Sequence, residues 1–458
     1  MNVRISSIRR SAKAILLFML FILGELLVGI ATVFLPSYWI TLALGLIVFL
    51  LVASYPMIGV SLMIASLYFP ILPTVPLGPL EFSVSSLPVV GLALGIFFRS
   101  RFRAEHVYLA AWQKALLVIL ALAFLLSSLF SSDYPSTLKM MPNMLIYLVI
   151  LFGIMAEINT FEKLKYVAKL ILVLAFVLSI WRFELRPLRG VFDLPSLGIN
   201  GATFSFHAGI ALAFAILIFT TNNTFSLAWR WFAALTLLSL FIHGIEYQTR
   251  AAWLAWALML ILILSRVSWT RWIRFVPIVI VIGLITAVFY GSVIQDNYRQ
   301  TSYTVTAAFG GNYSITSSDD RLRLLARDAG WRMFEARPVF GWGANRFDFL
   351  KPAFVEGTSK EADHPGAFDS WLIVLAEMGL FGLIASMMAS LTPLISTWFL
   401  LRKRHTQITG LAFGFALGVF CLVIHLIFID LLFSFYWIHV GLALAATRLA
   451  LEKNQDVA

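Results

Sequence analysis

Stretches of about 17 to 25 apolar residues, the length a helix needs to cross roughly 30 Å of hydrocarbon, follow one another almost end to end along this chain. In hydrocarbon every backbone N–H and C=O must find its partner within the spanning structure, which leaves helices or a closed β-barrel. A barrel would show short segments alternating apolar and polar residues, and these are absent. Composition agrees: 60% of the 458 residues are hydrophobic and 12% charged, which excludes a soluble globular domain. The expected fold is an all-α polytopic membrane protein with about 12 to 14 transmembrane helices and one large outside loop containing short helices.

The apolar runs place spans at about 14–35, 38–54, 57–72, 83–98, 108–130, 142–158, 167–184, 206–221, 230–247, 251–267, 275–295, 370–400, 408–429 and 431–450. They divide the chain into an N-terminal membrane part (1–295), a polar loop (296–369) and a C-terminal membrane part (370–458). The run from 370 is long enough to begin as an interfacial helix before it crosses. The first run is too long for a cleavable signal peptide and lacks a small-residue cleavage site, so it is expected to remain. The single cysteine, Cys421, excludes an intramolecular disulfide and Cys-rich metal motifs, and reads as a small core residue.

Orientation follows from the basic residues. With the N-terminus inside, the cytoplasmic segments collect Arg4, Arg9, Arg10, Lys13, Arg99, Arg101, Arg103, Lys163, Lys165, Lys169, Arg230, Arg266, Arg271, Arg274, Arg402, Lys403, Arg404, Arg448 and Lys453, 19 of the 34 Lys and Arg. Both termini are then cytoplasmic. The loop 296–368, with nine acids and nine bases, falls outside. The net charge of +11 is therefore mostly a topology signal, and nucleic-acid binding gains no support from it.

Basic residues on the other side are more informative. "WRFELRPLRGVFDLPSLGING" sets Arg182, Arg186 and Arg189 outside and close to the membrane. They call for an anionic partner, either a ligand or the nearby Glu184 and Asp193. Arg250, in "IEYQTRAAWLAW", occupies a tight outside turn. An arginine at that depth needs a counter-charge or a polar cavity, and Glu246, one turn earlier, is the plain alternative to a ligand.

The outside loop carries an organised segment. After the capping residues of "TSSDD", the stretch "RLRLLARDAGWRMFEAR" puts Leu322, Leu325, Ala326, Ala329 and Met333 on one helical face. Arg323 and Arg327, four apart, point together from another. Guanidinium pairs grip phosphate oxygens in bidentate fashion; a solvated helix paired through Asp328 and Glu335 is the other reading. The continuation, "RPVFGWGANRF", has the Pro, Gly and Asn of a chain-reversing turn.

The stretch "DHPGAFDSWLIVLAEMGLFGL" then sets a histidine, a Pro-Gly turn and two acids against a membrane-grade apolar run. The succession of "QTRAAW", the Arg-bearing helix, "RPVFGWGANRF" and "FDSWLIVLAEMGLFGL" resembles the bacterial O-antigen ligase and polymerase superfamily, whose Pro-x-x-Gly-x-Gly and Glu-x-Gly-x-x-Gly patterns are met by the glycine turn and by Glu377, Gly379 and Gly382. The matches span about 250–383. The resemblance implies a metal-independent membrane glycosyltransferase, GT-C-like in fold, with no cofactor. Its donor would be an undecaprenyl-diphosphate-linked glycan in the inner membrane, acted on at the periplasmic face. The acceptor would be lipid A core in the ligase branch, which is the expected one, or another lipid-linked repeat in the polymerase branch. By this analogy Arg250 and Arg323 hold the diphosphate; Arg327, Arg186 and Arg189 are candidates for the same anion.

One departure stands out. The family's His-Asn pair falls on Phe368 and Asp369, and the nearest histidine is His364. His364 is the expected general base, since imidazole titrates near neutrality. Asp369 is the alternative base, and equally an N-cap for the following helix. Glu25, His243, His425, Asp430 and His439 lie in or near apolar runs and favour a rival reading, a secondary anion transporter. Against it, no matching Gly/Pro-interrupted helices mark two inverted halves.

Overall fold

The computed structural model describes residues 38–68, 74–77, 80–83, 86–102, 108–131, 137, 141–183, 199–220, 224–246, 250–266, 268, 284, 318–355, 369–403, 405–428 and 434–455. Within them the protein is helical apart from one antiparallel hairpin, β1 (Thr74–Leu77) with β2 (Leu80–Ser83), in the register Thr74 to Ser83. The apolar runs gave no sign of this hairpin, because four-residue strands are too short to leave a pattern.

Five helices are long and apolar enough to cross a membrane: Ala111–Leu129, Phe161–Trp181, Leu227–Gly244, Ser370–Lys403 and Gln407–His425. Shorter apolar helices cover Pro56–Tyr68, Asn143–Glu157, Ser205–Phe219 and Ala251–Leu264. All nine fall on expected spans, and the chain is a helical membrane protein. The spans expected at 14–35 and, but for residue 284, at 275–295 lie outside the described residues.

The bundle is organised around Gln407–His425, nearly all of which is buried. Its glycines recur every fourth residue, so Gly410, Gly414 and Gly418 share one face. That face lies on the helix Ile199–Phe214 and the short π-helical turn Ala215–Phe219 that extends it. A Cβ on Gly410 would meet Phe219 and one on Gly418 would meet Ala208, while Gly414 faces Ala215. Between spanning helices, where no hydrophobic force distinguishes protein from lipid, such close backbone approach supplies the attraction. Cys421 is fully buried in the same helix, as its surroundings in the sequence suggest.

One end of the bundle is fastened by charge. The buried Glu157 closes the helix Met141–Glu157 and pairs with Arg99 and, at 2.9 Å, with Lys163. Arg448, 2% exposed, donates to the carbonyls of Tyr108 (2.6 Å) and Ile158 (3.0 Å), tying the helix Ser434–Gln455 to two neighbours. At the other end lies the candidate site.

Candidate functional site

The site is built on a broken helix. Ser370–Lys403 runs for 34 residues but is interrupted at Gly379, whose φ of 65° and ψ of −168° belong to backbone that is essentially glycine's alone. Its first piece is buried in protein, with Trp371, Leu372, Val374, Ala376 and Met378 all covered. The reason is that a break in a helix frees carbonyls on one side and N–H groups on the other, and at membrane depth these need protein partners.

The partners are the turn "RPVFGWG". Trp342 and Gly343 donate their backbone N–H groups to the carbonyls of Ala376 (3.0 Å) and Glu377 (2.9 Å). In return Leu380 and Phe381 donate to the carbonyls of Pro338 (2.8 Å) and Val339 (3.3 Å). The two chain segments thus exchange backbone hydrogen bonds in both directions, forming a clasp. Its glycines are obligatory on two counts. Gly341 (φ 69°) and Gly343 (φ 106°) occupy the left-handed region like Gly379. A Cβ on Gly341 would also penetrate the Glu377 carbonyl, and one on Gly379 the Val339 carbonyl. Gly382 makes room for Met378, which the break folds back over it. Glu377 completes the arrangement: its carboxylate accepts from the N–H of Phe347 at 2.9 Å, at the start of the short helix Phe347–Leu350.

A third strand of the clasp comes from the end of Ala111–Leu129, which the sequence reading passed over. Ser127 Oγ donates to the Glu377 carbonyl at 2.8 Å, and Ser131 Oγ to the Trp342 carbonyl at 3.0 Å. Phe130 stacks on Phe340 at 4.6 Å, and Arg337 donates to the Phe130 carbonyl at 3.0 Å while lying over the Trp342 ring. The available signal was the pair of hydroxyl doublets in "LLSSLFSSD", at the end of an otherwise apolar span.

The clasp positions the arginine helix, Ser318–Ala336. The expected apolar face is the inner one: Ala329 and Met333 are fully buried and Ala326 is nearly so, with Leu322 and Leu325 half-buried. Met333 shares a small core with Phe347 and Ala376, flanked by Trp342 and Ile373. Gly330 lets the helix settle against Leu372, where a Cβ would come within 2.7 Å of its Cγ. Arg327 is exposed, one turn after Arg323 on the same helix.

Asp369 stands at the head of the broken helix. Its Oδ1 accepts from the N–H groups of Trp371 and Leu372, both at 3.1 Å, which is the N-cap arrangement. Ser370 donates its N–H to the Leu426 carbonyl at 2.9 Å, and the Trp371 indole donates to Val423 at 2.8 Å, so the cap is anchored to the end of Gln407–His425. Burial pushes the Asp369 carboxyl above its ordinary range; the Leu372 N–H, the Arg327 guanidinium and the Trp371 N–H oppose that rise. The positive charge of Arg327 is thus felt at Asp369. Arg250 is the first residue of the helix Arg250–Leu264, and Arg186, Arg189 and His364 lie outside the described residues.

No curated protein matches the chain. Residues 233–387, a segment that contains the arginine helix, the glycine turn and the break at Gly379, match the model of the O-antigen ligase family, so the likeness read from the motifs holds over this part of the chain.

Proposed function

We propose that this protein is an O-antigen ligase: a membrane glycosyltransferase that moves a glycan from undecaprenyl diphosphate to the lipid A core of lipopolysaccharide, at the periplasmic face of the inner membrane. The observation that carries this reading is the clasp. It lies inside the family-matched segment and holds the arginine helix against the head of an apolar helix, which supports a site for a lipid-anchored diphosphate there. In this reading the bundle has 12 to 14 spans in a GT-C-like arrangement, with both termini cytoplasmic.

Arg250, Arg323 and Arg327, with Arg186 and Arg189 from the preceding outside loop, would grip the diphosphate. The leaving group gains negative charge as the glycosidic bond breaks, and arginines fixed where that charge develops lower the barrier without a metal ion. His364 would take the proton from the acceptor hydroxyl. Asp369 would act on the site by fixing the head of the helix beside Arg327.

The broken helix at Gly379 is also a feature of secondary transporters, which use freed backbone groups to hold ions. Here the freed carbonyls of Ala376 and Glu377 and the N–H groups of Leu380 and Phe381 are taken by the turn, and this favours transfer over transport.

The test is to incubate the purified protein, without divalent metal, with an undecaprenyl-diphosphate glycan and either lipid A core or no acceptor. A glycan ladder shifted onto lipid A core supports the ligase. Longer lipid-linked chains without lipid A would identify a polymerase, and no product in either tube would overturn glycan transfer.

A further inference from the structure

At the charge-fastened end of the bundle, at the opposite end of Ala111–Leu129 from the clasp, three helices leave an open groove of about 410 Å³. Ala93, Ile96, Phe97 and Ser100 come from the helix Ser86–Phe102, Lys114 from Ala111–Leu129 and Phe152 from Met141–Glu157, with Leu109 between them. The outward faces around it are apolar: Phe97 is 58% exposed and Val118 55%, as suits contact with hydrocarbon. At the rim sit one hydroxyl, Ser100, and one ammonium, Lys114, and among the described residues no acid lines the groove.

Two described acids at this end of the bundle are engaged elsewhere. Glu157 pairs with Arg99 and Lys163, and Glu162 pairs with Lys165 at 2.6 Å. An apolar trough with a cationic, hydroxyl-bearing rim matches one class of molecule, an acyl chain carrying an anionic head group. Basic pockets between spanning helices bind such lipids. A lysine that merely snorkels to the interface along apolar surface would need no trough beneath it.

We propose that this groove is a binding site for an anionic phospholipid: an acyl chain lies over Phe97 and Phe152, and the phosphate meets Lys114 Nζ and the Ser100 hydroxyl. The site is separate from glycan transfer and does not depend on it.

A phosphatidylglycerol with a photoreactive acyl chain, and the same chain on phosphatidylcholine, would be crosslinked to the full-length protein in vesicles and mapped by peptide mass spectrometry. The expected result is labelling of the peptides carrying Phe97 and Phe152, several-fold stronger with phosphatidylglycerol, with that preference lost in Lys114→Gln. Ala93→Trp, which adds bulk to the lining of the trough, should reduce labelling of these peptides by both probes. Equal labelling by the two probes in the parent protein would reduce the groove to ordinary lipid contact and overturn the proposal, as would a preference that survives Lys114→Gln.

Discussion

The two ends of this bundle are closed by opposite means. At one, side-chain charge does the fastening: Glu157 holds Arg99 and Lys163, and Arg448 reaches the carbonyls of Tyr108 and Ile158. At the other, four backbone hydrogen bonds join the turn at Pro338–Gly343 to the break at Gly379. The contrast separates structure from chemistry. Where charges hold helices together they are consumed by that task, whereas a clasp of backbone atoms holds an arginine helix in place while Arg327 stays exposed.

The sharpest way to break the comparison is Gly379→Ala. The new Cβ would strike the Val339 carbonyl in a backbone conformation alanine does not tolerate. A loss of about 3 kcal/mol or more is expected, with failure to fold into stable detergent-solubilised protein; a parent-like melting temperature would refute the clasp. Glu157→Gln tests the charged end. Removing one partner of a buried cluster leaves cations uncompensated, and roughly 2–3 kcal/mol should be lost, read by thermal unfolding, with glycan transfer falling only in proportion to folded protein. Arg327→Ala sharpens the difference from the other side. Stability should change by less than about 0.5 kcal/mol, while transfer should fall about tenfold or more, equivalent to roughly 1.4 kcal/mol of transition-state stabilisation.

The smallest effect concerns Asp369. Asp369→Ala removes the cap at a cost of about 1 kcal/mol, whereas Asp369→Asn keeps an acceptor oxygen and sheds a buried charge. Because the folded-state pKa of this acid lies above its ordinary value, its favourable contribution is present at low pH and is lost as pH rises through that raised pKa. The stability of Asp369→Asn relative to the parent should therefore improve as pH rises from the ordinary aspartate range towards neutrality. Transfer by Asp369→Asn should persist if the residue only positions the helix, and its abolition would make Asp369 the base.

Much of this was legible in the sequence for physical reasons. Apolar length locates spans because hydrocarbon imposes it, and the face of Leu322 to Met333 was readable because helical periodicity and burial coincide there. The turn "GWGANRF" announced a reversal through its glycines. The sequence could not say that the turn and "EMGLFGL" are mates, since a backbone hydrogen bond leaves no trace in residue type. Ser127 and Ser131 escaped notice for a similar reason: serines near the end of a span have many possible partners. The packing face of Gly410, Gly414 and Gly418 emerged only with the partner helix, since apolar length says nothing of which face meets which neighbour.

The four backbone hydrogen bonds between the turn and the break are indifferent to side chains except where a Cβ would intrude. Trp342 and Leu380 enter them through N–H groups that any residue but proline supplies, and Val339 through a carbonyl that any residue supplies. A motif drawn from such positions advertises a shape of backbone and not a molecule to be transferred. Chains that share these glycines can therefore differ in what they bind while keeping the same frame, and under the proposed function the choice of glycan would belong to the residues that the frame carries.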